Sequence, residues 1–190
     1  MQKDCSVIIL AAGNSTRMGQ LKFTLTLEDG TTFIENIVKQ YAEFGCSEII
    51  VVVNINGKEY LEKHPLEGIT VAVNKHPEFE RFYSIKTGLS KIKSNNPVFI
   101  HNSDNPYANQ IVLKVLFTSR EDADFIKPVF EGKGGHPILI SYKIVKKLIL
   151  HDDQKIHLNE FLKNYSFIGI EVKNDKILIN INTKEEYLNL

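Results

Sequence analysis

Short apolar runs recur along the chain and alternate with stretches whose apolar residues fall three and four apart. The runs "SVIILAA" (6–12), "EIIVVVN" (48–54), "TVAVN" (70–74) and "PVFIHNSD" (97–104) show little polar alternation, the pattern of strands buried on both faces. Between the first two lies "TTFIENIVKQYAEFG" (31–45), which sets Phe33, Ile34, Ile37, Val38, Tyr41 and Phe44 on one face of a helix that Gly45 can end. "ERFYSIKTGLSKI" (80–92) repeats the device with Phe82, Ile85, Leu89 and Ile92, and "NQIVLKVLFTS" (109–119) gives a third such helix. Strand and helix in alternation predict a mostly parallel sheet with helices on both faces, an α/β class.

The second half is less regular. "DFIKPVF", "HPILI", "FIGIEVKN" and "KILININ" read as strands, and "SYKIVKKLIL" and "HLNEFLKN" as helices. A mixed sheet is expected here, with added strands roofing a ligand cleft. Thr183, with Glu186 three residues on, predicts a capping box at the start of a last helix. No linker, repeat or low-complexity segment interrupts the 190 residues, so the reading is one domain over 1–190.

Composition adds exclusions more than assignments. Hydrophobic residues make up 43% and charged residues 24%, the balance of an ordinary globular chain, and no apolar run approaches a membrane span. The formal net charge is zero, which argues against a nucleic-acid partner while leaving room for a local basic pocket. The first apolar stretch runs into a glycine loop and reads as a core strand, not a leader. Cys5 and Cys46 have no metal-ligand spacing and are expected as reduced thiols in the cytoplasm, and the six histidines form no zinc motif.

The candidate chemistry begins where the first strand ends. "LAAGNSTRMGQLK" (10–22) follows an apolar strand with small residues, two hydroxyls, Arg17 and Lys22. In open α/β sheets ligands bind beyond the carboxyl ends of the strands, and a loop of small residues lets backbone N–H groups approach phosphate oxygens. Asp104 lies just past another apolar strand and precedes Asn-Pro, so it falls at the same edge; a single carboxylate beside substrate phosphates suits magnesium. It also suits an Asx turn. His136 in "GGHP" can serve as a packed histidine or a substrate contact, and "GKGG" reads as a turn near an acceptor site.

The loop fits L-A-A-G-x-S-x-R-M-G-x-x-K, and on that pattern the chain resembles the nucleoside triphosphate transferase superfamily, most of all its molybdenum cofactor cytidylyltransferases. "NKHPEFERFYSIKTGL" (74–89) resembles the segment that holds base and ribose there, with Ser84, Arg81 and Gly88 in matching places. "NSDNPY" (102–107) resembles the G-D-x-P loop, "EGKGGHPILIS" (131–141) the G-x-x-G-H-P-V-L segment, and "ININTKEEY" (179–187) the C-terminal D-I-D-T-P-E-D-Y pattern.

The resemblance implies a Rossmann-like, glycosyltransferase-A-like fold. It also implies nucleotide contacts from Ala11, Ala12, Gly13, Asn14, Ser15, Thr16, Arg17, Lys22, Asn74 and Ser84, with Lys22, Arg17 and Asp104 as the catalytic set. Magnesium is implied on Asp104 and Asn182, and Asn180 joins His136 as a candidate substrate contact. The implied reaction moves CMP from CTP, or a nucleotide from another triphosphate, to an acceptor phosphate, most like molybdopterin, with loss of pyrophosphate. A phosphate acceptor is already ionised, so no general base is required. Docking to an enzyme that receives the finished cofactor is a further implication. Four departures stand against the pattern. Asparagines replace the two aspartates near 180, "HDDQKIHLNEFL" (151–162) lacks the glycine and arginine found there, no glycine precedes Asp104, and "TLTLEDG" (24–30) lacks the usual proline. Sugar, polyol or choline phosphates are therefore alternative acceptors, and a non-catalytic nucleotide-binding protein is an alternative role.

Overall fold

The computed structural model describes residues 2–13, 18–76, 79–153 and 156–190. Its sheet begins with β1 (Lys3–Ala11), β2 (Cys46–Val53), β3 (Ile69–Val73) and β4 (Val98–Asn102), all mutually parallel, in the spatial order β3-β2-β1-β4. The helices between them are α1 (Phe33–Phe44), α2 (Ile55–Lys63) and α3 (Glu80–Leu89), followed after β4 by α4 (Gln110–Thr118). The order places β1 between β2 and β4. The loops after β1 and β4 therefore leave the sheet side by side, and Ser103 N–H donates to the Leu10 carbonyl at 3.0 Å across that gap.

The two faces of the sheet carry separate cores. Val7, Ile9 and Ala11 of β1 pack with Ile34, Ile37 and Tyr41 of α1 and Leu113 and Leu116 of α4. Ile8 faces the other way, toward Phe82, Ile85 and Leu89 of α3. This two-residue alternation within a run that is apolar on both sides is what a strand between two helix layers needs. Helix α1 begins and ends where its sequence sets it. Thr32 and Glu35 form the capping box of α1, and Gly45 closes it at φ 94°, in the left-handed region where glycine carries no Cβ penalty.

The second half extends the same sheet instead of roofing it. β5 (Phe125–Phe130), β6 (Lys133–Gly134) and β7 (Ile138–Ile140) continue it as β4-β7-β5-β6, with β7 antiparallel to both β4 and β5, and β8 (Phe167–Glu171) pairs with β5 in parallel. Helices α5 (Tyr142–Leu150), α6 (Leu158–Leu162) and α7 (Lys184–Leu188) complete the chain, and Thr183 caps α7 with Glu186 as expected.

Two further differences from the sequence reading appear. "KILININ" is not a strand: Asp175–Leu178 is a 3-10 turn that Asn174 starts by accepting from Lys176 N–H, and Ile177 is buried beneath it. Helix α2, whose apolar pattern is weak, was not expected; Asn54 starts it by accepting from Gly57 N–H at 2.9 Å. Among the described residues no helix is long and apolar enough to cross a membrane.

Candidate functional site

Lys22 is positioned by its neighbour. Phe23 is 1% exposed and meets Tyr60 edge-on at 5.6 Å, while Thr24 N–H and Leu25 N–H close a 3-10 turn back onto Leu21 and Lys22. With the turn anchored, the Lys22 ammonium donates to Asn182 Oδ1 at 2.7 Å, across 160 residues of sequence. Asn182 is held in turn by its own N–H, which donates to Glu186 Oε2 at 2.6 Å. The preceding Ile181 is buried with Met18, Leu25 and Phe33, and this small apolar cluster ties the C-terminal segment to the loop that follows β1. Asn180 points elsewhere: it is exposed, and its amide donates to the Leu178 carbonyl.

Asp104 sits on the turn after β4. Its carbonyl accepts from Ile181 N–H at 2.8 Å, which brings the Asp104 turn, Asn182 and Lys22 together. Its side-chain Oδ1 is buried and has no hydrogen-bond partner among the described residues. Burial raises the Asp104 carboxyl above the usual carboxylate range, and the positive charges of Lys22 and Arg81 oppose that rise without cancelling it. A buried carboxylate oxygen lacking a partner beside two cations is an unsatisfied acceptor, the condition a hard cation or a protonated ligand would relieve. The donor set here is one carboxylate and one neutral amide; among the described residues no three His, Cys, Asp or Glu side chains cluster.

On the other side of β1, Asn74 and Ser84 come together directly. Asn74 Nδ2 donates to Ser84 Oγ at 2.8 Å, and Asn74 Oδ1 accepts from His76 N–H at 2.7 Å. Ala11 and Ala12 are buried at the end of β1. Asn54, which the sequence reading missed, donates to the carbonyls of Ala12 and Gly13, both at 3.4 Å, and so fixes the start of the glycine loop while capping α2. A polar residue closing the apolar run "EIIVVVN" was the available signal. A cavity of about 490 Å³ opens here between Asn54, Ile55, Val73 and Asn74. The expected contacts Asn14, Ser15, Thr16 and Arg17 lie outside the described residues.

His136 lines a second, smaller cavity of about 210 Å³ with Arg81, Lys127, His157 and Asn159, and no carboxylate faces it among the described residues. Asn102 Nδ2 lies 3.2 Å from His136 Nε2, and Nδ1 is buried without a partner among the described residues. Burial, with the neighbouring positive charges, pushes the imidazole down to about 3, so it is neutral at physiological pH. Gly135 is required beside it: an added Cβ would lie 2.5 Å from the Ile177 carbonyl oxygen. "GKGG" is thus a pinned hairpin edge, with Gly135 N–H donating to the Pro128 carbonyl.

The chain is similar to known proteins over most of its length. The model of the MobA-like NTP transferase domain matches residues 7–166. A molybdenum cofactor cytidylyltransferase of Escherichia coli is 27% identical over 97% of this chain and 93% of its own length. A probable molybdenum cofactor guanylyltransferase of Clostridium perfringens is 28% identical over 97% of this chain and 95% of its own. Among solved structures, Rv0371C of Mycobacterium tuberculosis in complex with manganese superposes with a TM-score of 0.81 at 16% identity, covering 99% of this chain and 98% of that one.

Proposed function

The chain belongs to the MobA-like NTP transferase domain family and is a nucleotidyltransferase, and from that premise we propose that it transfers CMP from CTP to the phosphate of molybdopterin, with magnesium as its metal. The observation that carries this reading is the meeting of Lys22, Asp104 and Asn182 at the carboxyl edge of β1 and β4. Three segments far apart in sequence supply them. The manganese bound in the Mycobacterium tuberculosis structure of like fold supports a divalent cation as the metal of this reaction.

The triphosphate lies along the loop after β1, where backbone N–H groups from Gly13 onward, together with Arg17, hold the β- and γ-phosphates. Lys22 exchanges Asn182 for an α-phosphate oxygen and stabilises the charge that builds there. That exchange leaves the Asn182 amide oxygen and Asp104 as the protein's oxygen donors to magnesium, which when bound neutralises phosphate charge. An oxygen of the acceptor phosphate attacks the α-phosphorus, the bond to the β-phosphate oxygen breaks, and pyrophosphate departs. No protein base is called for, because the attacking group is already anionic.

Ala12, where the resemblance sets the base contacts, supports a pyrimidine, since one methyl in a base pocket is worth about 1–3 kcal/mol of discrimination. The cavity of Arg81, Lys127 and His136 receives the acceptor, since two cations without a carboxylate suit a phosphate ester. Its volume of about 210 Å³ supports, as a second reading, an acceptor smaller than molybdopterin such as a sugar or polyol phosphate. A thermal-shift panel of CTP, GTP, UTP and ATP, each with and without magnesium, tests the donor. CTP is expected to give the largest magnesium-dependent shift, and a shift confined to GTP, or none at all, refutes the assignment. Pyrophosphate release across molybdopterin and a set of sugar and polyol phosphates then decides between the acceptors.

A further inference from the structure

His101 is the fourth of the five residues of β4, where the preceding Phe99 and Ile100 are fully buried and an apolar residue would be expected. Its own side chain is 0% exposed. Nε2 lies 2.8 Å from the carbonyl oxygen of Asn105, and Nδ1 lies 3.0 Å from the hydroxyl of Tyr41 on α1. A carbonyl can only accept, so Nε2 carries the proton, Nδ1 offers its lone pair, and Tyr41 Oη–H must donate to it. The chain of donors therefore runs one way, from Tyr41 through the imidazole to the carbonyl of Asn105, the residue that follows Asp104. Burial holds the imidazole down to about 4, which keeps this neutral form throughout the physiological range.

The rest of the turn is pinned as closely. Ser103 N–H donates to Leu10, Asn105 N–H to Asn102, and the Asp104 carbonyl accepts from Ile181 N–H. The buried Asn105 side chain accepts from Tyr107 N–H at 3.0 Å and donates to the Lys176 carbonyl at 3.0 Å. Main-chain groups on both sides of Asp104 are thus fixed, whereas its own Oδ1 has no partner among the described residues. A backbone held from every side under an unsatisfied carboxylate is the arrangement of a pre-organised ligand with outer-shell support.

We infer that His101 is a positioning residue for the reaction centre: by donating to the Asn105 carbonyl under the control of Tyr41, it sets the path of the turn and so the aim of the Asp104 carboxylate. This inference rests on the reading of Asp104 as the metal-binding carboxylate. It explains why a strand that opens with three buried apolar residues goes on to bury an imidazole three residues before that carboxylate.

Binding of Mn²⁺ in the presence of CTP, followed by electron paramagnetic resonance on the whole chain, tests it, with CTP binding in the absence of metal measured alongside. His101→Leu keeps an apolar core side chain and removes the donor; it is expected to weaken Mn²⁺ about tenfold or more, in the range of outer-shell losses, and to leave metal-free CTP binding within about twofold. His101→Gln, which can present an N–H near the place of Nε2, is expected to hold Mn²⁺ within about threefold of the parent. Should His101→Leu fail to fold, Tyr41→Phe removes only the hydroxyl; it is expected to weaken Mn²⁺ about threefold and to release the single Nε2–H tautomer, read from ¹⁵N ring shifts. Parent-like Mn²⁺ affinity in His101→Leu or in Tyr41→Phe overturns the proposal. So does a His101→Gln that binds as weakly as His101→Leu. A parent that binds no Mn²⁺ with CTP is a different failure: it removes the reading of Asp104 itself, and the positioning role with it.

Discussion

Replacing Asp104 by asparagine should make the ligand-free protein more stable and the enzyme inactive. The fold raises this carboxyl, so the native state holds the proton more tightly than the unfolded chain does. Stability is therefore lost as pH rises from the unfolded value of 3.8 through the raised native one, and the loss persists at neutral pH. Each tenfold difference in proton affinity amounts to about 1.4 kcal/mol. Lys22 and Arg81 favour the ionised form, but burial outweighs them, and Oδ1 has no described partner to compensate it.

Asp104→Asn removes the charge in nearly the same shape, leaving Lys22 its bond to Asn182. A gain in stability follows, and with it a higher melting temperature. The same change removes the one carboxylate from the centre, and turnover should fall about 10³-fold, the scale of several kcal/mol of lost charge stabilisation. Urea unfolding at constant m gives the stability, and pyrophosphate release with magnesium gives the activity. A variant less stable than the parent by 1 kcal/mol or more would show the carboxylate to be a structural partner. Retained magnesium-dependent turnover would remove it from the chemistry.

Lys22→Ala should lower turnover about 10²-fold or more with little change in melting temperature, because Phe23 and not the ammonium anchors the turn; normal turnover refutes its role at the α-phosphate. Gly88→Ala places a Cβ 2.7 Å from Val52 Cγ2 and 3.1 Å from Ile8 Cγ2, both in the buried core. The overpacking cost of about 1–3 kcal/mol should exceed the roughly 1 kcal/mol gained in helix propensity, so urea unfolding should show a net loss; a stabilised variant refutes the packing account. Glu48 accepts from Ser94, Lys93 and Ser6. Burial would raise its carboxyl, but those bonds hold it below the usual value of 4.5. Its contribution is present above that value and lost as pH falls through the depressed one, so Glu48→Gln should flatten the acid limb of a stability-against-pH curve.

The apolar runs and helical spacings of the first 119 residues determined the parallel half of the sheet, because a strand buried on both faces and a helix with one apolar stripe each have one way to satisfy that pattern. The glycine loop and Asp104 were legible for a related reason: each follows such a run directly, and strand ends are where an open α/β sheet binds ligands. "KILININ" failed because its backbone groups are satisfied by loops: the Ile177 carbonyl accepts from His136 N–H and from Asn105 Nδ2, which takes the place of a neighbouring strand. Only the tertiary structure decided that Asn182 and not Asn180 meets Lys22, that Asn54 secures the loop after β1, and that His101 reaches the Asp104 turn. Those pairings join residues distant in sequence through single hydrogen bonds, and a single bond leaves no periodic trace along a chain.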